Sequence, residues 1–252
     1  MSTESLHRTG LLIKHNTILR LRDPGQLISY IVLPMVLMLI FKPLYVKALN
    51  TGPLQAVTGP LVMFSVFALA IVGNSILIER EWLTWDKMRA SPAGRTELLL
   101  GKTAPVFGIL LLQQAILITF GSLVLKLSVP AAVCYLLALA IVVWSFSLLA
   151  VGAALATIAR SRGDLNMITD LGAILVSSLG GALLPVSLMP GWAQHIAPVS
   201  PGYWAMAMLR GAVDDDPGAM LRPILVCLAI GLAAAAFAVY RLARGWGRSE
   251  LI

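Results

Sequence analysis

Six long runs of apolar residues, separated by short polar stretches, form the main pattern of the chain. Within each run Leu, Ala, Val and Ile occur at every helical offset, so that none of the runs has a polar face. A helix that is apolar all round is surrounded by lipid or by other helices, and about 20 such residues cross a bilayer core. The pattern predicts membrane-spanning helices at residues 26–45, 58–78, 103–125, 131–156, 168–186 and 220–240.

These runs predict an all-α integral membrane protein whose single transmembrane domain covers residues 1–252. Strands of a transmembrane barrel alternate apolar and polar residues over about ten positions, and none of the runs alternates. Pro34 is expected to kink the first span. The fifth span is expected to finish near Pro185 or to bend back into the membrane there.

The composition agrees with this interpretation, since 58% of the residues are hydrophobic and only 12% are charged. Soluble domains carry about 25% charged residues, so a soluble domain is excluded, and the hydrophobicity excludes a disordered chain. The two cysteines, Cys134 and Cys227, are too few for a disulfide scaffold. Both fall inside predicted spans, where we interpret them as small buried hydrophobic residues.

The positive charges are distributed unevenly between the two sides of the predicted membrane domain. Fourteen of the 19 Lys and Arg residues lie in the two terminal segments and in the loops after spans two and four. Because cytoplasmic loops are rich in Lys and Arg, both termini are predicted to be cytoplasmic. The same distribution accounts for the net charge of +7 without nucleic-acid binding.

Two of the segments that are predicted to be cytoplasmic differ in composition from ordinary loops. Residues 5–22 mix Leu and Ile with basic residues, which is typical of a helix lying in the headgroup region. Residues 79–89 contain no helix breaker, and Ser91-Pro92 ends the stretch. A short helix is predicted there, with Trp82, Trp85 and Arg89 roughly on one side. It is either a solvated helix or a docking surface, because Trp beside charged residues is typical of protein interfaces.

The longest outer connection, residues 186–219, contains two short apolar segments that are introduced by Pro190 and Pro201. Trp192, Tyr203 and Trp204 are amphipathic aromatic residues that favour the membrane interface. The pattern indicates two short helices that dip into the outer leaflet, or an aromatic belt with no further role.

No residue pattern predicts a catalytic or metal-binding site. Gly101-Lys102-Thr103 is similar to the end of a phosphate-binding loop, but Thr96 occupies the position where that motif requires Gly. The chain is therefore not expected to bind ATP. The three histidines all lie outside the predicted spans.

A few polar residues fall inside the predicted spans. Asn74, Gln113 and Gln114 either form hydrogen bonds between helices or line a substrate path. Asp170 is the one acidic residue there, and we interpret it as an interfacial partner of Arg160 or Arg162, because ionisable groups in the membrane are costly unless they serve a function.

The segment after the second span resembles the signature of ABC-2-type transporter permeases of the daunorubicin-resistance-like group. The similarity rests on Glu79-Arg80-Glu81, Thr84, Ala90-Ser91-Pro92 and the Leu-rich Gly-Lys at 98–102. The chain departs from the pattern at Leu83, where the family usually has Gly.

A second resemblance lies in the outer segment before the last span, and the Arg-Asp-Pro at 22–24 is also similar to the family. The matching outer residues are Met189-Pro190-Gly191-Trp192, Ile196-Ala197, Ser200-Pro201, Tyr203 and Ala207-Met208-Leu209-Arg210.

The resemblance implies an exporter in a prokaryotic cell membrane. Two six-span subunits, identical or different, form the pathway, and two copies of a separate ATPase subunit bind ATP and Mg²⁺. The residues expected to couple to the ATPase are Glu79, Arg80, Glu81, Trp82, Thr84, Trp85, Arg89, Ser91 and Pro92. Those expected to form an outer re-entrant gate are Pro190, Trp192, Pro201, Tyr203, Trp204 and Arg210.

Three functions remain open at the level of sequence. The first is this permease, moving a hydrophobic drug, a lipid or a lipid-linked glycan. The second is a self-sufficient secondary carrier that depends on Asp170. The third is a membrane scaffold or immunity protein that transports nothing.

Overall fold

The computed structural model describes residues 3–21, 24–48, 52–67, 69–81 and 95–243, and no strand occurs among them. The helices are α1 (Thr3–Leu21), α2 (Pro24–Pro43), α3 (Gly52–Phe67), α4 (Leu69–Glu81), α5 (Arg95–Val124), α6 (Cys134–Ile158), α7 (Arg162–Leu179), α8 (Gly191–Ile196), α9 (Pro201–Val213) and α10 (Pro217–Ala243). A π-helical stretch at Leu44–Ala48 continues α2, and 3₁₀ turns lie at Ala131–Val133, Val186–Leu188 and Ala197–Val199. The prediction of an all-α membrane protein is confirmed.

Five stretches of helix in the described part of the chain are long and apolar enough to cross a membrane. They are Ile28–Lys47, Gly52–Ile78, Gly101–Val124, Ala131–Ile158 and Pro217–Leu242. Each overlaps a predicted span, and α2 begins at Pro24 as expected for proline in the first helical position. The helix continues through Pro34 without a break.

The predicted fifth span corresponds to α7, which is not among these five stretches. This helix covers Arg162–Leu179 and carries three charged residues, so it is less apolar than the others. It ends where the chain turns at Gly180 and Gly181, and Gly181 has a φ of 85° that favours glycine. The apolar run continues to 186 outside the helix, and the count of six spans stays a prediction.

Helix α6 lies at the centre of the bundle and packs against α4, α5, α9 and α10. Trp144 on this helix is buried, and its indole N–H donates a hydrogen bond of 2.7 Å to the hydroxyl of Ser65 on α3. The hydroxyl of Ser147 donates to the Cys227 carbonyl on α10 at 2.7 Å. Polar side chains therefore fix the register of a core that is otherwise apolar.

The helices bring two different sets of contacts to the two ends of the bundle. At one end, which we call the α1 end, α1 packs on α5, and Arg241 donates to the Thr157 carbonyl at 3.1 Å. At the other, which we call the α9 end, α9 packs on α3 and α10, and the hydroxyl of Tyr45 donates to the Leu183 carbonyl at 2.5 Å. Thr157 and Arg241, which follow the fourth and sixth predicted spans on the side predicted to be cytoplasmic, thus both lie at the α1 end.

Helices α2 and α10 are the least covered of the five long helices. On α2, which packs against α3 and α5, Leu33 and Ile40 are among many exposed apolar residues. On α10 the same holds for Leu225 and Leu232. Exposed apolar faces of this length agree with contact with lipid.

Candidate functional site

The predicted coupling residues begin in the last turn of α4. Glu79, Arg80 and Glu81 continue this helix to its end. The other six coupling residues lie outside the described residues: Trp82, Thr84, Trp85, Arg89, Ser91 and Pro92. The helix predicted over 79–89 therefore stays a prediction beyond its first turn.

Two hydrogen bonds join the middle of α4 to α5 and α7. The ammonium group of Lys102, in the third turn of α5, donates to the Ser75 carbonyl at 3.3 Å, and Lys102 as a whole is buried. The side-chain amide of Asn74 donates to the Asn166 side chain of α7 at 2.8 Å. A displacement of the chain after α4 would consequently act on α5 and α7.

Helix α1 is anchored on α5 at Gly101. A Cβ atom at that position would lie 2.7 Å from the Cβ of Leu12, so the glycine permits the close approach. The amide of Asn16 donates to the Gly101 carbonyl at 3.2 Å. In an uninterrupted helix this carbonyl would accept from residue 105, but residue 105 is a proline and has no N–H. The Asn16 amide thus supplies the missing donor.

The same arrangement occurs in the middle of the bundle. The Tyr30 carbonyl on α2 would accept from residue 34, which is also a proline. The side chain of Gln113 on α5 donates to this carbonyl at 2.9 Å and is buried. Gln113 therefore supplies the hydrogen-bond donor that the proline removes from the first span.

Gln114 and Asn74 also form contacts between helices. The amide of Gln114, on α5, donates to the Ser145 hydroxyl on α6 at 2.7 Å. The side-chain oxygens of Gln114 and Asn74 are buried and accept no hydrogen bond from any described residue. Each of the three predicted path residues thus joins two helices, and their role along a substrate path stays a prediction.

Asp170 is exposed on α7, beside the exposed apolar residues Met167, Leu171 and Ile174. No residue that the structure describes forms a salt bridge with it. The predicted interfacial ion pair with Arg160 or Arg162 is therefore absent from the described residues.

A buried polar cluster holds the α9 end together. The guanidinium group of Arg210 on α9 donates to the side-chain oxygen of Gln55 on α3 at 2.5 Å. The amide of the same Gln55 donates to the carbonyls of Gly181 and Ala182 at 2.7 and 3.2 Å. Gln55 therefore links α3, α9 and the loop after α7.

Arg210 stays charged in this environment. Burial lowers its pKa, while Asp214 and Tyr203 act in the opposite direction. The pKa of a guanidinium group begins so high that such a shift leaves it protonated. A positive charge is thus fixed at the α9 end.

The beginning of α9 is joined to the end of α7. The Ser200 hydroxyl caps α9 by accepting from the Gly202 N–H, and it donates to the Val176 carbonyl at 2.6 Å. A Cβ atom at Gly202 would lie 2.6 Å from that same carbonyl oxygen. Glycine is therefore required for the two helix ends to meet.

The remaining predicted gate residues lie around this junction. Pro190 precedes α8, and Pro201 is the first residue of α9. Trp192 is 65% exposed. Tyr203 and Trp204 pack edge to face, and the guanidinium carbon of Arg222 lies 5.2 Å from the centre of the Trp204 ring.

A cavity of about 400 Å³ opens at the α9 end. Two predicted gate residues, Tyr203 and Arg210, line it together with Asp214 and Asp216. The structure therefore brings part of the predicted gate together around one space. Trp192, Pro190 and Pro201 lie outside its lining.

Gln55, Asn16 and Lys102 carry contacts that the sequence did not single out. Gln55 lay three residues before the predicted second span and was therefore assigned to a loop. Asn16 stands in a segment of mixed polarity, and Lys102 is marked by the sequence only through its resemblance to a phosphate-binding loop and to the family signature, neither of which indicates a contact with Ser75. For Asn16 the available signal was Pro105, which leaves the Gly101 carbonyl without its helical donor. No such signal marked Gln55 or Lys102.

The fold is that of a helical protein that crosses the membrane several times. Within the described residues, no group of three or more His, Cys, Asp or Glu could hold a metal ion. Comparison with protein families matches residues 7–213 to the family described as ABC-2 type transporter. The match covers most of the chain, which therefore belongs to this family and is the membrane component of a transporter. No curated protein shows a significant match.

Proposed function

We propose that the chain is the permease subunit of an ATP-driven exporter in a prokaryotic cell membrane. Its family membership carries this proposal. The sequence contains no complete phosphate-binding loop, since Thr96 stands where that loop requires Gly. ATP and Mg²⁺ are then bound by a separate ATPase subunit, present in two copies, and a second permease subunit completes the pathway. The substrate is a hydrophobic or lipid-like compound that leaves outward.

In this proposal the ATPase docks on residues 79–92 at the cytoplasmic side, which is the α1 end. The contacts of Lys102 with Ser75 and of Asn74 with Asn166 support it. They would pass a movement of this segment to α5 and α7. The interfacial helix α1, anchored on α5 through Asn16, would approach the ATPase on the same side.

The decisive experiment uses the purified chain with a partner ABC ATPase subunit, which is sought first among the products of the neighbouring genes. We expect Glu79→Ala combined with Glu81→Ala to reduce binding of the ATPase and ATP-dependent transport by about tenfold or more, because charged contacts at an interface are costly to lose. Asp215→Ala is the control, together with each single Glu→Ala variant. Asp215→Ala removes one negative charge at the α9 end, as each single variant does at the other end, and should leave both quantities unchanged.

Two results would point elsewhere. Transport by the chain alone in proteoliposomes, abolished by Asp170→Asn, would indicate a secondary carrier. Full ATPase activity of the complex that no candidate substrate changes would indicate a scaffold or an immunity protein.

A further inference from the structure

Arg210 and Asp214 present opposite charges to one cavity and are close enough to influence each other, yet their side chains are not in direct contact. Arg210 lies in the last turn of α9, and Asp214 is the residue directly after the helix, whose N–H donates to the Arg210 carbonyl. This spacing of four residues places their Cβ atoms about 6 Å from each other. Both are described residues, and no salt bridge joins them. Arg210 donates to the neutral side chain of Gln55, and its remaining donors have no partner among the described residues. The cavity therefore offers an anion site beside a cation site.

The other carboxylate of the cavity is already engaged. A side-chain oxygen of Asp216 accepts from the Ala219 N–H at 2.9 Å and so caps the start of α10. Asp215, between the two lining aspartates, is exposed and does not line the cavity. Asp214 is consequently the carboxylate that is available to a ligand.

The remaining walls are mainly apolar. Val186, Met206, Ala207 and Ala219 line the space, and Ser187 adds one hydroxyl. A volume of about 400 Å³ lies within the range of small-molecule sites, which combine apolar walls with a few polar groups. The space fits a charged headgroup and the first carbons attached to it.

The segments around the cavity are suited to contact with lipid. Leu188 follows two lining residues and is 48% exposed, and Val199 before α9 is 80% exposed. Trp192 between them is an exposed aromatic residue of the kind that lies at membrane interfaces. A ligand of this cavity would therefore come from the membrane rather than from water.

We propose that this cavity binds the headgroup of a phospholipid that carries a primary ammonium group, as in phosphatidylethanolamine. The phosphate would accept hydrogen bonds from the guanidinium group of Arg210, an arrangement that arginine favours. The ammonium group, two carbons away, would donate to the carboxylate of Asp214. Such binding requires no ATPase, so it can be tested apart from the proposed function.

The test is native mass spectrometry of the purified full chain in mild detergent with equal amounts of three lipids that share their acyl chains. Phosphatidylcholine keeps the phosphate but has no N–H donor, and phosphatidylglycerol lacks the cation. We expect phosphatidylethanolamine to be bound about tenfold more than either, because charge-assisted hydrogen bonds are the strong ones. Asp214→Asn should remove this preference, and Asp215→Asn should retain it.

A second variant tests the cavity itself. Ala219→Phe is expected to fill the space and abolish the bound lipid while both charges remain. Thermal unfolding confirms that each variant is folded before lipid is compared. Equal binding of the three lipids, an equal loss in Asp215→Asn, or unchanged binding in Ala219→Phe would overturn the proposal. Displacement of the lipid by an equal concentration of soluble glycerophosphoethanolamine would overturn its assignment to a membrane lipid.

Discussion

Pro34 and Pro105 each deprive a backbone carbonyl in the preceding turn of its helical donor. Gln113 donates to the Tyr30 carbonyl, and Asn16 donates to the Gly101 carbonyl. In hydrocarbon no water can replace these donors, so an unpaired carbonyl is costly. At the scale of single residues, the amide side chains therefore restore what the prolines remove.

The proline explanation predicts that the cost of losing Gln113 depends on Pro34. Gln113→Leu should reduce the free energy of unfolding by about 1–2 kcal/mol, since it removes the amide donor of a half-buried carbonyl. In a Pro34→Ala background the helix supplies its own N–H, and the same substitution should cost much less. Reversible unfolding in detergent gives the free energy of unfolding of the parent chain, of each single variant and of the double variant. An equal loss in both backgrounds would contradict the explanation.

Gly202 provides a second test at this scale. Gly202→Ala should destabilise the protein by about 1–3 kcal/mol, because the new Cβ would overlap the Val176 carbonyl oxygen. Gly191→Ala is the control, because a Cβ there meets nothing within 4 Å. Melting temperatures of the two variants report the difference, and equal values would argue against close packing of α7 and α9.

These pairings were beyond sequence reasoning for a physical reason. The acceptors are backbone carbonyls, which every residue carries, so no residue type marks them. Gln113 was recognised as a polar residue inside a span, but its partner depends on how α5 packs against α2. The sequence did identify Tyr203 and Arg210, which line one cavity, because outer aromatic residues and the family resemblance marked that segment.

At the scale of elements, long apolar runs were sufficient to predict five helices that can cross a membrane. The ends of these helices were less predictable, because a run of apolar residues can continue past the residue at which the backbone turns. The fifth predicted span shows this, since Gly181 ends the helical path while apolar residues continue to 186. Likewise α3 begins at Gly52, before its apolar run, and so includes Gln55.

The hydrogen bond that anchors α1 on α5 can be tested by substitution, like the hydrogen bond of Gln113 with the first span. Asn16→Ala should weaken the contact between α1 and α5 and raise amide hydrogen exchange in α1 several-fold, because the Gly101 carbonyl loses its donor. His15→Ala changes an exposed neighbour and should leave exchange unchanged. If α1 exchanges equally in both variants, the Asn16 hydrogen bond does not hold it.

At the scale of the whole molecule, α3 and α4 follow each other from one end of the bundle to the other. Gln55 contacts Arg210 near the start of α3, and Ser75 accepts from Lys102 in the middle of α4. The two positions lie 20 residues apart, and the described residues between them belong to α3 and α4, whose helical rise corresponds to about 30 Å over that distance. This run of helix thus connects the candidate coupling end with the cavity.

Gln55 is therefore predicted to matter for both stability and coupling. Gln55→Leu should reduce the free energy of unfolding by about 2–4 kcal/mol, because it leaves the half-buried Arg210 without its partner. Adding Arg210→Met should recover part of this loss. In the complex with the ATPase, Gln55→Leu should retain ATPase binding but lose transport.

The control for this prediction is Thr58→Val, which removes a hydroxyl bonded only within its own helix. It should lower both stability and transport much less than Gln55→Leu does. Unfolding of the isolated chain and transport by the reconstituted complex are measured separately. Unchanged transport in Gln55→Leu would show that the two ends are not connected through this residue.

Each proline whose missing N–H is replaced by a distant amide also constrains which substitutions the chain tolerates during evolution. A chain that loses Asn16 while it keeps Pro105 is penalised, whereas one that first replaces the proline is free to change the amide. The two positions should therefore vary together among relatives, and so should Pro34 and Gln113. Sequence divergence in this family is then expected to follow an order, with each proline lost before its distant amide.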